Sequence, residues 1–246
     1  MKRYRAIFFD FGDTLAPVSP VPLARRLRQT YEERFAEAFD LKLPKEDAEL
    51  LKLHEASNQQ AGWPVEEDSV EAYERVYTAW ARGLLTALRA REKDIKRHAA
   101  EFAEAFRDIS DRSRVAYPDC VPTLEALKAR GYRLAVISNN DGRLLRRMTY
   151  MGLTGYFELI ADSSVVQSSK PDAGIFKHGL NGLGVQPAEV LHVGDLYHAD
   201  VEGAGPLGID AVWIKRTNKP APESAHRPRF TIAELAELPP LLDDPK

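Results

Sequence analysis

The chain has 246 residues, 44% hydrophobic and 29% charged, which is material for a packed core with a solvated surface. Lys and Arg number 34 against 37 Asp and Glu, a formal charge of −3, and the basic residues are spread along the chain, which excludes the basic stripe of a nucleic-acid binder. The single cysteine, Cys120, excludes an intrachain disulfide, the apolar run at 6–9 is too short for a signal peptide, and no stretch reaches the roughly 18 apolar residues of a membrane span, so a cytoplasmic location is expected.

Residues 5–9, RAIFF, read as a short buried strand that ends in the polar loop Asp10-Phe11-Gly12-Asp13-Thr14. Pro17, Pro20 and Pro22 then break regular structure. Leu23, Leu27, Tyr31, Phe35 and Phe39 recur every four residues, the stripe of an amphipathic helix. Pro44 suits the first turn of a second helix carrying Leu50, Leu51 and Leu53. Gly62-Trp63-Pro64 interrupts, and a third helix begins near Asp68 or Ser69, either of which can cap it. Its apolar face is Val70, Tyr73, Val76, Tyr77, Trp80, Leu84 and Leu88, and a fourth helix carries Ile95, Ala99, Phe102, Phe106 and Ile109. No strand pattern occurs between about residues 18 and 112, so this stretch is expected to be a separate all-helical bundle.

From Tyr117 strand and helix alternate. Residues 121–131 read as a helix closed by Gly131, 133–139 as a strand, 141–153 as a helix, and 157–164 as holding a strand. A helix at 172–184, a strand at 190–195, a short helix at 198–208 and a strand at 210–216 complete the series. The proline-rich tail from Thr217, with its TIAELAEL segment, is expected to pack loosely. Strands spaced by helices imply right-handed βαβ units and a parallel sheet. The fold expected is therefore α/β: a doubly wound, Rossmann-like core from residues 1–16 and 115–246, with a helical cap inserted at 17–114. An insertion after a strand's carboxyl end lies over the crevice where open α/β sheets bind ligands.

Four loops fall at expected strand ends: Asp10–Thr14, Ser138–Asp141, Ser168–Asp172 and Gly194–Asp200. In a parallel sheet they converge, gathering Asp10, Asp13, Ser138, Lys170, Asp195 and Asp200. Like charges so close are costly unless a cation neutralises them. Hard oxygen donors suit Mg²⁺, which takes one or two carboxylates, waters and a substrate phosphate.

The string FFDFGDTL resembles the first motif of the haloacid dehalogenase-like superfamily, written DxDxT. VISN resembles the second, SKPD the third and HVGDLYHAD the fourth, in the family's order. The helical stretch is similar to the family's first type of cap. The resemblance implies a phosphatase-like hydrolase in which Asp10 attacks phosphorus to give an aspartyl-phosphate. It implies Mg²⁺ ligation by Asp10, the main-chain carbonyl of Gly12 and Asp195, with Asp200 acting from outside the ligand set. Ser138, helped by the backbone N–H of Asn139, would bind phosphoryl oxygens, and Lys170 would neutralise the nucleophile and the transferring group. The cap would close over the cleft and select a small phosphorylated substrate. A monomer or homodimer with no nucleic-acid or membrane partner is expected.

One position departs from the family's pattern. Its phosphatases carry an acid/base Asp two residues after the nucleophile, where this chain has Gly12, with Asp13 one place later. A well-placed acid contributes on the order of 10²–10⁴-fold, so metal binding is expected to survive while catalysis is weakened unless Asp13 substitutes. Two rivals follow: an impaired phosphate- and metal-binding protein, and a hydrolase of C–halogen or C–P bonds. The dehalogenase branch lacks the metal-binding acid of the fourth motif, which Asp195 retains here. Of the six histidines none shows zinc-ligand spacing, and His198 alone is expected near the site. Arg25, Arg26 and Arg28 read as a solvated helix face that could also meet an anion.

Overall fold

The computed structural model describes residues 4–17, 22–39, 41, 43–65, 67–216, 220 and 222–242. The chain divides into two compact units, one from Met1–Val18 with Val115–Lys246 and one from Ser19–Arg114. Among the described residues no helix is long and apolar enough to cross a membrane.

The larger unit is built on six parallel strands: β1 (Ala6–Phe9), β2 (Arg133–Ser138), β3 (Leu159–Asp162), β4 (Val190–Gly194), β5 (Asp210–Ile214) and β6 (Phe230–Ile232). Their order across the sheet is β3-β2-β1-β4-β5-β6. The order reverses beside β1, the switch point at which a doubly wound sheet leaves a crevice outside its strand ends. Register holds the strand ends level: Phe9 pairs with Val136 on one side and with Val193 on the other.

The strands are apolar on both faces because both faces are covered. Alternation sends Ile7, Phe9, Leu134, Val136, Leu191 and Val193 to one side, against Leu124 and Leu127 of α5 (Cys120–Ala129) and Met148 of α6 (Leu144–Tyr150). Phe8, Ile137, Val190 and Trp213 point the other way, onto Ile175, Phe176 and Leu180 of α8 (Ala173–Leu183). Gly179 of α8 lies against the Phe8 ring so closely that an added Cβ would collide with it.

The smaller unit contains α1 (Leu23–Arg34), α2 (Asp47–Ala61), α3 (Val70–Ala87) and α4 (Glu92–Arg112). Its core is Leu27, Phe35, Phe39, Leu50, Trp80, Leu84, Phe102 and Phe106. Ser69 caps α3, its Oγ accepting from the Ala72 N–H at 3.2 Å. Gly62, left-handed, closes α2.

Several expectations are corrected. The stripe that ran to Phe39 is helical only to Arg34; Phe35 and Phe39 are buried from a following turn. Pro44 precedes α2, which begins at Asp47, and Leu51 is exposed. Arg26 and Arg28 are not simply solvated: Arg26 donates to Ser110 Oγ at 2.7 Å over the Phe106 ring, and Arg28 binds Asp47 and the Pro44 carbonyl. The tail is not loose. β6 pairs with β5, and Ile232, Leu235 and Leu238 are buried in the core.

Candidate active site

β1 ends at Phe9, and the next residue turns its carboxylate into the crevice. The Asp10 N–H donates to the Val193 carbonyl at 2.8 Å, continuing the ladder one step beyond the strand. Asp10 Oδ1 accepts from Ser138 Oγ at 2.9 Å and from Lys170 Nζ at 2.7 Å. Ser138 is the last residue of β2, so the neighbouring strand delivers it. Lys170 comes from farther off. β3 ends at Asp162, the short α7 (Ser163–Val166) intervenes, and Lys170 lies in the loop before α8. That loop is tied down by Asn139, whose Oδ1 accepts from the Lys170 N–H at 2.7 Å while its Nδ2 donates to the Lys170 carbonyl at 2.8 Å.

Asp200 completes the group. Its Oδ1 accepts from Lys170 Nζ at 2.6 Å and from His192 Nε2 at 2.9 Å, and its Oδ2 accepts from the Leu196 N–H at 2.9 Å. The chain reaches this geometry through a π-helical turn, Tyr197–Glu202, where a short helix at 198–208 was expected. π-turns are rare and collect at functional sites. Gly194 is required here, because any Cβ would overlap the Asp200 carboxylate. Asp195 follows Gly194, and its carbonyl is held by Trp213 Nε1 at 2.9 Å.

The carboxylates of Asp10, Asp195 and Asp200 each bring one oxygen within 4.8 Å of the others. Three carboxyl groups share one ammonium, with His192 beside Asp200, so this mostly buried site holds more acid than base. The electrostatics record that imbalance. Burial, then the charges of Asp10, Asp200 and Asp13, push Asp195 up to about 7. Burial also raises Asp10, reinforced by Asp200 and opposed by Lys170. Burial would raise Asp200 too, but Lys170 and His192 outweigh it and hold its carboxyl below the usual range. Burial would lower Lys170, yet its two acids raise it. Hard oxygen donors in this excess of acid over base are what a divalent cation neutralises. Asp10 and Asp195 are the freer ligands, since Asp200 already accepts three hydrogen bonds.

Asp13 stands beside this group in the loop, not in it. It adopts a left-handed backbone, φ 48°, which Asp tolerates better than most residues. The Tyr117 hydroxyl donates to its Oδ1 at 3.4 Å. Gly12 lies in the same loop, bridged to Ala16. A cavity of about 690 Å³ opens next to Asp13 and Asp195, at the ends of β4 and β5, lined also by Tyr117, Leu196, Trp213 and Arg216. Arg216 stacks 3.7 Å over the Tyr117 ring and donates to the Thr14 carbonyl, bracing the loop that follows Asp10.

Two residues were missed and one was misplaced. His198 is exposed and pairs with Glu202, whereas fully buried His192 touches the site. Strand alternation gives the face His192 occupies but not its partner, Asp200. In β4 it faces α8, edge-on to Phe176 at 5.3 Å, opposite in sense to Leu191 and Val193. Arg216 had no local signal, since its partners lie about 100 and 200 residues away.

The comparisons with known proteins agree with this geometry. A haloacid dehalogenase-like hydrolase family model matches residues 4–208. The chain is 36% identical over 140 residues to (S)-2-haloacid dehalogenase 1 of Pseudomonas sp. (strain CBS-3), covering 56% of this chain and 59% of that protein. It is 35% identical over 142 residues to phosphoserine phosphatase of Thermus thermophilus, covering 57% of this chain and 56% of that one. The match thus spans a little over half the length of either relative. Among solved structures, a 2-haloacid dehalogenase from Pseudomonas syringae pv. Tomato superposes with a TM-score of 0.71 at 22% identity over 98% of both chains, a likeness of fold. A doubly wound sheet with the Asp10 carboxylate at its switch point, and a family match over most of the chain, make this protein a member of the haloacid dehalogenase-like hydrolases.

Proposed function

We propose that the protein is a Mg²⁺-dependent phosphomonoesterase of a small metabolite, working through an aspartyl-phosphate on Asp10. The observation that carries this reading is the gathering of three acids, Asp10, Asp195 and Asp200, around the single ammonium of Lys170, a surplus of acid over base. A C–halogen hydrolase with a carboxylate nucleophile has no use for that surplus; a site that takes a divalent cation and a phosphate does. Bound Mg²⁺ would supply Lewis-acid neutralisation of phosphoryl charge, held by Asp10 and Asp195, with the Gly12 carbonyl as a further donor.

This chain's own residues would do the rest. Among the described residues nothing hydrogen-bonds to Asp10 Oδ2, while Oδ1 is fixed by Ser138 and Lys170. One oxygen is thus held and the other left to attack phosphorus, breaking the ester P–O bond. Ser138 and Lys170 then face the equatorial oxygens, where charge accumulates. Phosphatases for phosphoserine and phosphoglycolate stand among the relatives, which supports a small phosphorylated substrate. The test is turnover of a panel of phosphate esters with MgCl₂. Asp10→Asn should lower kcat by at least about 10³-fold, and EDTA should abolish turnover. Full activity in either preparation sinks the mechanism.

A second reading rests on Gly12, which cannot shuttle a proton: a phosphate- and metal-binding protein with impaired turnover. Its signature is a silent wild type revived by Gly12→Asp, by about 10²-fold or more if the acid is well placed. The similarity to haloacid dehalogenases keeps a third reading, C–halogen hydrolysis. Halide release without added metal would select it.

A further inference from the structure

We propose that Arg147 is a positioning residue that, through Asn140, fixes the direction of the Ser138 hydroxyl, so that Ser138 turns its hydrogen and not a lone pair toward Asp10 and toward the anion Asp10 would receive. The bond directions follow from geometry alone; their catalytic consequence rests on the phosphatase reading above.

A guanidinium can only donate. Arg147 of α6 is nearly buried beside Asp141, Nη1 to Oδ1 2.8 Å, and the same nitrogen is hydrogen-bonded to Asn140 Oδ1. An amide can be turned either way with little change of shape, but only its oxygen can face a guanidinium. The Asn140 nitrogen is therefore turned toward Ser138 Oγ, 3.0 Å away. That nitrogen only donates, so Ser138 Oγ must accept there. Its single hydrogen is left for the other neighbour, Asp10 Oδ1 at 2.9 Å.

Asn140 has no room to drift out of this chain. Its N–H donates to Ser163 Oγ at 3.0 Å, and its carbonyl accepts from the hydroxyls of Ser163 and Ser164. With the amide reversed, Ser138 would spend its hydrogen on Asn140 and turn a lone pair toward the anion. A hydrogen bond to a charged group would become a repulsion. Arg147 thus acts two residues removed from the substrate, without touching it.

Neutron diffraction on deuterium-exchanged crystals tests the direction itself. Density for the hydroxyl deuterium on the line from Ser138 Oγ to Asp10 is expected; density on the Asn140 side overturns the proposal, whatever the protein hydrolyses. The functional arm measures binding of inorganic phosphate, in MgCl₂, by calorimetry, alongside turnover of p-nitrophenyl phosphate. Asn140→Asp, which puts an acceptor where the amide nitrogen stood, and Arg147→Met should each weaken phosphate binding and lower kcat by about tenfold or more. Arg147→Lys keeps a cation that only donates, and should bind phosphate at least about fivefold more tightly than Arg147→Met. Phosphate affinity equal in wild type, Asn140→Asp and Arg147→Met overturns the proposal. A wild type that neither binds phosphate nor cleaves the ester sinks the phosphatase reading instead, and the deuterium position then judges Arg147 by itself.

Discussion

Lys170 Nζ lies 2.7 Å from Asp10 and 2.6 Å from Asp200, with all three side chains nearly inaccessible to water. That pairing gives it a part in stability that can be tested apart from any chemistry. Lys170→Met keeps much of the volume but leaves two buried carboxylates without their ammonium. Breaking a buried pair from one side costs about 3–5 kcal/mol, so the denaturant midpoint should fall sharply in metal-free protein. An unchanged midpoint would mean that the two acids are solvated or protonated. At this scale the sequence was legible where a residue's type and its neighbours announce its role. Asp10, Ser138, Lys170, Asp195 and Asp200 were named from short strings, and the fold brings them together, while their roles stay with the proposal. His192 could not be named, because a lone histidine in an apolar strand declares nothing until Asp200 arrives beside it.

Among the elements, the informative miss is the chain's end. Residues 230–242 are short, rich in proline and carry no long apolar period, so they read as loose. Instead β6 extends the sheet, and Leu235 and Leu238 sit in the core with Ile232. Leu238 is fully buried, and Leu238→Ala should cost about 2–5 kcal/mol by chemical denaturation. A loss within experimental error would return the tail to a surface role. The π-turn at Tyr197–Glu202 was read as a helix for a similar reason. Local periodicity cannot see that the Asp200 carboxylate must reach Lys170, His192 and the Leu196 N–H together. The long amphipathic helices α3 and α4 were legible because their partners are spaced along their own sequence.

For the molecule as a whole, a Mg²⁺ ion bound as proposed should couple to stability through Asp195. Its carboxyl is pushed up to about 7 from an ordinary value of 3.8, with no cation present. Between those values the folded chain holds a proton that the unfolded chain has released. Metal-free stability should therefore decline as pH rises from about 4 to 7, the sense opposite to that of a salt-bridged acid. A divalent cation needs the ionised form and releases that proton on binding. Saturating MgCl₂ should accordingly raise Tm more at about pH 8 than at about pH 5.5. Asp195→Asn should abolish the increment and flatten the metal-free profile. An equal Mg²⁺ increment at both pH values would contradict the assignment of Asp195 as a ligand.

By itself the sequence determined the alternation of strand and helix, the helical insertion and the identity of the acids at the strand ends. Periodicity and motif are properties of neighbours in the chain, and these features need nothing more. Only the tertiary structure decided that His192 and Arg216 brace the site, that Asn139 grips Lys170, that Arg147 and Asn140 stand behind Ser138, and that the tail closes the sheet. Each of those is a hydrogen bond or packing contact between elements distant in sequence or turned by an irregular loop. Such contacts leave no periodic trace, because each depends on where a packed core has already carried the backbone.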